Sequence, residues 1–277
     1  MTLFSIIRTG LIASLVVTLL AACQYDLSPW ETDVDCPNMS IEENLDWLSQ
    51  IESGKQMGDT FKVAVIGDPQ QYPGDLEETI QLLNRKPDID FVLLLGDLVE
   101  TGVEKEFEWA CKALNKTNKP IISVIGNHDA LSYGQDIWRD IFGEFDFSFQ
   151  YLGTKFIAYN DNQYEFENVP NKSWLAVEAK VAENEDRVHT IGMSHIQPWE
   201  HDVGFSAFLK EKGFDHMLHA HDHRFQYWQL ADVGLPHYVT ADTRDIKFGV
   251  MTVTSDTISL ENCDPECVTA EVETRFR

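Results

Sequence analysis

Three apolar segments of the sequence each end in a glycine that is followed by side chains able to bind metals. Residues 61–66 lead into Gly67-Asp68-Pro69-Gln70, residues 91–95 into Gly96-Asp97, and residues 121–125 into Gly126-Asn127-His128-Asp129. An apolar, β-branched segment that stops at a glycine predicts a buried strand, and α/β proteins place their sites at the C-terminal ends of such strands. The pattern therefore predicts carboxylate, amide and imidazole ligands gathered at one sheet edge.

Two later segments continue the pattern with histidines. The predicted strand at 188–193 ends at Ser194-His195, and the one at 214–218 runs into His219-Ala220-His221-Asp222-His223. Each residue alone is weak evidence, because a strand-end aspartate often caps a helix and a buried histidine is usually a hydrogen-bonded core residue. The evidence is the joint set, which in chain order is Asp68, Gln70, Asp97, Asn127, His128, Asp129, His195, His221 and His223.

In this order the residues resemble the calcineurin-like metallophosphoesterase family, whose pattern is Asp-x-His, Gly-Asp, Gly-Asn-His-Asp, His and Gly-His-x-His. The resemblance extends over about residues 61–242. It implies a four-layer α/β/β/α sandwich of two mixed sheets. It also implies hydrolysis of a small phosphomonoester, phosphodiester or pyrophosphate with two divalent metal ions.

The resemblance assigns the ligands residue by residue. One metal would be held by Asp68, Gln70, Asp97 and His223, and the other by Asp97, Asn127, His195 and His221. A bridging carboxylate such as Asp97 can span two ions about 3.5 to 4 Å apart. A hydroxide held between the metals would attack phosphorus, His128 would stabilise the transition state or protonate the leaving oxygen, and Asp129 would orient His128.

Two positions depart from the commonest family pattern. Gln70 stands where histidine is usual, and Ala220 stands where glycine is usual. An amide oxygen can still bind a hard cation, so this Asp-x-Gln variant favours manganese or ferrous iron over zinc, which stays possible. Ala220 is acceptable if its backbone φ is negative.

The elements that must position these residues follow from hydrophobic periodicity. Helices predicted near 75–86 and 103–116 separate the first three strands, which indicates a parallel sheet with right-handed crossovers. Residues 147–151 and 155–159 predict a hairpin with glycine at the first turn position. A helix at 172–182 should face inward through Trp174, Val177 and Val181, and the strands after 223 should form an antiparallel set in a second sheet.

The predicted domain organisation begins with a lipoprotein signal peptide at residues 1–22. A short apolar segment before Leu20-Ala21-Ala22-Cys23 is typical of lipoprotein processing, which would lipidate Cys23 and anchor the protein in a bacterial envelope. Gln24 would permit transfer to the outer membrane, facing the periplasm. Residues 23–59 are interpreted as a tether and an N-terminal helix, 60–262 as the metallophosphoesterase domain and 263–277 as a C-terminal tail.

The formal net charge of −25 makes a nucleic-acid polymer an unfavourable partner, because it repels polyanions at long range. The four cysteines after Cys23 allow several disulfide pairings in an oxidising periplasm. Cys263 and Cys267 could close a local loop, Cys36 could instead join the C-terminal tail, and Cys111 could be a buried thiol.

Two alternatives to a soluble-substrate hydrolase remain at this point. A non-catalytic metal-binding scaffold would retain the ligands without turnover, although it would not need a non-ligating His128. A phosphoesterase for envelope lipid head groups would suit a membrane anchor. The substrate could be contacted by the loop at 160–169, which contains Tyr164 and Phe166, and by Trp199. The sequence leaves the oligomeric state open.

Overall fold

The computed structural model describes residues 31–183, 188–198 and 203–276. The predicted signal peptide, Cys23 and Trp199 lie outside these residues. The helices are α1 (Ile41–Glu52), α2 (Pro73–Asn84), α3 (Glu104–Leu114), α4 (Gly134–Ile141), α5 (Lys172–Glu183) and α6 (Val203–Glu211). Among the described residues, no helix is both long and apolar enough to cross a membrane.

In the described part of the chain, six strands form the first sheet: β1 (Phe61–Ile66), β2 (Phe91–Leu94), β3 (Ile121–Ser123), β10 (Phe248–Val253), β11 (Ile258–Asp264) and β12 (Glu266–Thr269). Their order in the sheet is β12-β11-β10-β1-β2-β3. Strands β1, β2 and β3 are parallel, as the sequence predicts. Strand β10 pairs antiparallel with β1, so the late strands 248–269 extend the first sheet and the prediction that they join the second is wrong.

Seven strands of the described residues form the second sheet: β4 (Phe147–Tyr151), β5 (Thr154–Ala158), β6 (His189–Met193), β7 (His216–His219), β8 (Gln226–Leu230), β9 (His237–Val239) and β13 (Glu273–Arg275). Their order in the sheet is β13-β8-β9-β7-β6-β5-β4. Strands β5, β6, β7 and β9 are parallel. Strand β4 runs antiparallel to β5, and β8 runs antiparallel to β9 and parallel to β13. Residues 263–277, predicted as a tail, thus contribute strands to both sheets.

Alternate side chains of β1 show how the layers pack. Val63 and Val65 join the core between the two sheets, while Ala64 and Ile66 face the helices on the outer side of the first sheet. Helices α5 and α6 cover the second sheet through Leu175, Ala179, Phe205 and Leu209. The predicted four-layer α/β/β/α sandwich is confirmed.

The β4–β5 hairpin differs from its prediction in its turn. Its two turn residues are Leu152 and Gly153, with φ values of +49° and +86°. Positive φ at both positions is typical of a type I′ turn, whose twist matches that of the strands. The glycine therefore occupies the second turn position, and the predicted first position is wrong.

Helix α5 faces the core through a different stripe from the predicted one. Leu175 and Ala179 are buried, whereas the exposed fraction of Val177 is 58%. Trp174 packs at the edge of the same core cluster, as predicted. A helix places positions i and i+4 on one face, so Leu175 and Ala179 define the buried face and Val177 faces away from it.

Two disulfides join the four cysteines of the described residues. Cys36 bonds to Cys111 on α3, and Cys263 bonds to Cys267 across the β11–β12 pair. The local loop predicted for Cys263 and Cys267 is confirmed. The expectations of a free Cys111 and of a bond from Cys36 to the tail are wrong, because Cys36 lies against the helical face that carries Cys111.

Candidate metal centre

The structure brings the predicted ligands of both sheets together at the C-terminal ends of their strands. The first sheet contributes Asp68 and Gln70 after β1, Asp97 after β2, and Asn127 and His128 after β3. The second sheet contributes His195 after β6 and His221 and His223 after β7. The two strand-end sets meet across the interface between the sheets, where the side chains of Asp68, Asp97 and His195 are almost completely buried.

Backbone hydrogen bonds hold the strand-end loops against one another. The N–H of Asp68 donates to the carbonyl of Gly96 at 3.1 Å, and the N–H of Gln70 donates to the carbonyl of Asp97 at 3.1 Å. Between the sheets, the N–H of His221 donates to the Asp68 carboxylate at 3.0 Å. The ligand positions are therefore set by both sheets at once.

One group of potential ligands consists of Asp97, His195 and His221. His195 Nε2 lies 3.3 Å from Asp97 Oδ2 and 3.2 Å from His221 Nδ1. The other ring nitrogen of His195, Nδ1, donates to the Leu95 carbonyl at 2.7 Å. This bond selects the tautomer in which the Nε2 lone pair faces the carboxylate and the second imidazole, the usual arrangement of a metal-binding histidine.

The other group consists of Asp68, Asp97 and His223. His223 Nε2 lies 3.6 Å from Asp68 Oδ1. The side-chain amide of Gln70 reaches the same place, with Nε2 3.2 Å from Asp97 Oδ2. Rotation of this amide by half a turn would present its oxygen to a cation instead. Asp97 belongs to both groups, as a bridging ligand must.

The donor set fits two divalent ions. Each group places its ligand atoms within 4.8 Å of one another. Asn127 Oδ1, the predicted fourth ligand of the first group, is buried and accepts no hydrogen bond. An unsatisfied buried amide oxygen costs free energy unless a ligand pairs with it, so Asn127 is consistent with a cation at this position.

Five of the proposed ligands adopt left-handed backbone conformations that side chains rarely take. The φ values are +52° for Asp68, +40° for Gln70, +53° for Asp97, +72° for His221 and +57° for His223. Each such conformation costs on the order of 1 kcal/mol and persists only where the surrounding fold imposes it. This concentration of strained residues at one place indicates a functional site.

The charges of the site explain its pKa values. Burial opposes ionisation of Asp97, yet the neighbouring His195 imidazole lowers the pKa of Asp97 to about 2. Burial likewise opposes a charge on His195, but the Asp97 carboxylate raises the pKa of His195 to about 10. Burial raises the pKa of Asp68 well above its usual value, and Asp97 adds to that effect. Asp97 and His195 therefore stabilise each other's charged forms, whereas the environment of Asp68 favours its neutral form.

His128 is positioned beside the ligands, and its partners differ from the predicted ones. Its N–H donates to Asp97 Oδ1 at 2.9 Å, and its Nδ1 donates to the Glu100 carbonyl at 2.7 Å. The two carboxylate oxygens of Asp129 accept the N–H groups of Val99 and Gly126. The Glu100 carbonyl thus orients the imidazole of His128, whereas Asp129 shapes the loop that carries it.

Ala220 fits its position without backbone strain. It is not among the described residues with positive φ, and its N–H donates to the His195 carbonyl at 2.9 Å. Alanine in place of the usual glycine is therefore acceptable at position 220, because its backbone φ is not positive.

Sequence reasoning missed two acidic residues at the site. Asp242 Oδ2 lies 3.7 Å from Nδ1 of His223, the ring nitrogen turned away from Asp68. Asp242 follows strand β9, so the same strand-end rule could have identified it. Glu165 Oε2 is buried without a hydrogen-bond partner, and burial raises the pKa of Glu165, with a further contribution from Asp97. Glu165 belongs to the irregular loop at 160–169, in which sequence periodicity carries no signal.

The structure also describes Tyr164, Phe166 and His219, which the sequence places near the predicted ligands. Phe166 packs on Phe145 with ring centroids 5.0 Å apart, and the exposed fraction of Tyr164 is 96%. His219 is buried behind His221 and is hydrogen-bonded to His237 at 3.1 Å. These observations agree with a structural role for Phe166 and His219.

Comparison with known structures finds the same fold in several proteins. A purple acid phosphatase from yellow lupin (Lupinus luteus) seeds shares 13% identity and a TM-score of 0.61 over 80% of this chain and 55% of its own. GAP50, the anchor in the inner membrane complex of Plasmodium, shares 14% identity and a TM-score of 0.57 over 78% and 89%. TT1561 of Thermus thermophilus shares 13% identity and a TM-score of 0.51 over 74% and 99%. This chain spans about half the length of the lupin protein.

A search of curated proteins finds no match. The family model that describes the calcineurin-like phosphoesterases matches residues 61–225, which is more than half of the chain and includes every proposed metal ligand. The chain therefore belongs to the calcineurin-like phosphoesterase family.

Proposed function

We propose that this protein hydrolyses a small phosphomonoester, phosphodiester or pyrophosphate with two divalent ions. Metal-dependent hydrolysis of phosphoric esters is the activity of its family. The observation that supports the proposal for this chain is the sharing of Asp97 by two ligand groups, Asp97–His195–His221 and Asp68–Asp97–His223. Gln70 and Asn127 complete the proposed ligand set.

Two bound divalent ions would stabilise negative charge on the phosphoryl oxygens. His128 is not a proposed ligand: its imidazole is partly exposed, and its backbone N–H donates to Asp97. Because its Nδ1 donates to the Glu100 carbonyl, a protonated His128 can donate from Nε2 to the leaving oxygen. A non-catalytic scaffold has no need of an imidazole held in this way, which favours catalysis.

The ligand chemistry favours manganese or ferrous iron over zinc. The set contains carboxylate and amide oxygens beside three imidazoles, His195, His221 and His223, and oxygen ligands suit the harder cations. Gln70, in place of the usual histidine, adds one more oxygen ligand and removes one imidazole from the ligand set.

The experiment is hydrolysis of a chromogenic phosphodiester and a chromogenic monoester by the purified protein with manganese. We expect Asp97→Asn to lose bound metal and turnover together. We expect His128→Ala to keep its metal and to lose about 10²- to 10⁴-fold in kcat. Asp88→Asn, which changes an exposed aspartate paired with Lys62, is the matched control and should behave as wild type. An inert wild type that binds two metals would favour the scaffold alternative.

The location that we propose is the periplasmic side of a bacterial envelope, through a lipid on Cys23 after removal of residues 1–22. The two disulfides support an oxidising compartment, where such bonds persist. Mass spectrometry of the protein from membranes should find a diacylated Cys23 at the N-terminus. Cys23→Ser should release the protein from the membrane fraction, and an unmodified, still membrane-bound variant would contradict the proposal.

A further inference from the structure

Arg244 lies beside the metal centre without belonging to either ligand group. Its Nη2 lies 3.0 Å from Asp242 Oδ2, and the same oxygen lies 3.7 Å from His223 Nδ1. The Asp242 side chain is buried, whereas 47% of the Arg244 side chain is exposed. One buried carboxylate thus connects an accessible cation to a proposed metal ligand.

A second contact holds Arg244 from another side. The guanidinium lies over the Tyr72 ring, 5.4 Å from its centroid. Tyr72 follows Gln70 by two residues and directly precedes α2. A guanidinium carries five N–H donors, more than these two contacts use, so Arg244 retains donors for a ligand.

The backbone after Arg244 is strained. Asp245 and Ile246 have φ values of +59° and +63°. Such values are outliers for a β-branched residue such as Ile246. Hydrogen bonds from the N–H of Thr243 to the Gly67 carbonyl at 3.0 Å and from the N–H of Asp245 to Asp75 at 3.4 Å hold the segment. Strain maintained this close to a site is consistent with a positioned functional side chain.

The charge of Arg244 suits an anion. The chain has a formal net charge of −25, which repels an anionic substrate from most directions. A planar guanidinium binds phosphate and carboxylate groups through paired N–H donors, and Arg244 is already oriented by Asp242 and Tyr72.

We propose that Arg244 binds a second anionic group of the substrate, a phosphoryl or carboxylate group beyond the scissile phosphate. Asp242 and Tyr72 are its positioning residues. The inference rests on the proposed phosphoesterase function and narrows its substrates to phosphoesters and pyrophosphates that carry a further anionic group.

The test compares ligands with and without that second charge on the metal-loaded protein. The substrates are phenyl phosphate and 2-carboxyphenyl phosphate, and the ligands for calorimetric binding are inorganic phosphate and inorganic pyrophosphate. We expect Arg244→Ala to raise KM for 2-carboxyphenyl phosphate or Kd for pyrophosphate about 10- to 100-fold. KM for phenyl phosphate and Kd for phosphate should stay unchanged. An effect on only 2-carboxyphenyl phosphate identifies the group that Arg244 binds as a carboxylate, and an effect on only pyrophosphate identifies it as a phosphoryl group.

Two further variants separate binding from indirect effects. Lys247→Ala removes another cation of the same loop, one paired with Asp245, and should change neither ligand preference. Tyr72→Leu should reproduce part of the Arg244→Ala effect. Asp242→Asn should lower metal content and weaken every ligand alike, because Asp242 contacts His223.

The inference is overturned if Arg244→Ala weakens ligands with one anionic group as much as ligands with two, or if it weakens neither kind. It is also overturned if Arg244→Ala lowers metal content as Asp242→Asn does. If wild type hydrolyses no phosphoester, the proposed function fails separately. Binding of pyrophosphate then still decides the role of Arg244. If wild type binds pyrophosphate more tightly than phosphate and Arg244→Ala abolishes that difference, the inference is supported. If wild type shows no such difference, the inference is rejected.

Discussion

Three histidines of the centre each have one ring nitrogen that faces an oxygen atom of a group that is not a proposed ligand, and in His195 and His128 that nitrogen is hydrogen-bonded. His195 is held by the Leu95 carbonyl, His128 by the Glu100 carbonyl, and His223 lies next to Asp242. Such partners fix the tautomer and the ring orientation of a metal site. Two of the three partners are backbone carbonyls, so side-chain substitution cannot remove them, and the geometry of these histidines depends on the strand ends themselves.

The close approach of Gly67 to Ala220 and Thr240 also constrains the ligands. A Cβ atom at residue 67 would lie 2.6 Å from the Cβ of Ala220 and 3.2 Å from Cγ2 of Thr240. Gly67→Ala should therefore push apart the loops that carry Asp68 and His221 and lower metal content and turnover by about tenfold or more. Metal analysis after gel filtration measures the first effect.

The double variant Gly67→Ala with Ala220→Gly removes the closer contact and should recover part of the metal content. Gly74→Ala is the control, since a Cβ at residue 74 meets nothing within 4 Å. Full metal binding by Gly67→Ala alone would show that this contact does not constrain the site.

At the scale of elements, local sequence signals determine where the helices begin, and a disulfide joins two parts of the chain that are distant in sequence. Ser40 caps α1 and accepts the backbone N–H of Glu43 at 3.2 Å, the arrangement of a capping box. Helix α2 begins at Pro73, two residues before the predicted start, because proline suits the first turn of a helix. The segment before α1 is joined to α3 by the bond from Cys36 to Cys111.

The Cys36–Cys111 bond closes a long loop, with a sequence separation of 75. In the chain-entropy description, its removal lowers the free energy of unfolding by about 4 kcal/mol. We expect this loss for Cys36→Ser with Cys111→Ser, measured by urea unfolding. Removal of the Cys263–Cys267 bond, with a separation of 4, should cost only about 2 kcal/mol. Equal losses for the two pairs would contradict this account.

At the scale of the whole molecule, the core between the sheets decides whether the site forms. Phe91 of β2 packs edge-on against Tyr151 and Phe156 of the other sheet, with ring centroids 5.4 and 5.8 Å apart. Asp97 belongs to the loop after that strand, and His195 comes from the second sheet. Because each ligand group draws on both sheets, neither sheet could assemble a metal site alone.

Buried histidines in the second sheet make the whole fold sensitive to acid. Burial lowers the pKa of His216 to about 3 and that of His237 well below its usual value of 6.5. The unfolded chain gains these protons near pH 6.5, whereas the folded chain excludes them. This stability is therefore complete above pH 6.5 and is lost as pH falls toward 3, by about 2 kcal/mol for His216 at pH 5.

The variant His216→Phe tests this dependence. Urea unfolding at pH 7.5 and pH 5.0, in a chelator so that bound metal plays no part, gives the difference in free energy between the two pH values. We expect that difference to be about 2 kcal/mol smaller in His216→Phe than in wild type. An unchanged difference would show that His216 does not contribute to the acid sensitivity.

Much of the site could be predicted from sequence because its signals are local. A strand that ends in glycine and then Asp68, Asp97 or Asn127 is readable from a few consecutive residues, and the structure brings these residues together with His195 and the later histidines. The role of Asp129 could not be predicted in this way. Its partners, Val99 and Gly126, and those of His128 depend on how two loops meet.

The sequence by itself determined the parallel β1–β2–β3 core and the residues that gather at the strand ends, because hydrophobic periodicity and turn residues act within short segments. Only the tertiary structure decided that residues 248–269 return to the first sheet, that Cys36 bonds to Cys111, and that Asp242 lies beside His223 and pairs with Arg244. Each of these depends on contacts between residues far apart in the chain, which are selected by packing of the complete fold rather than by any local pattern.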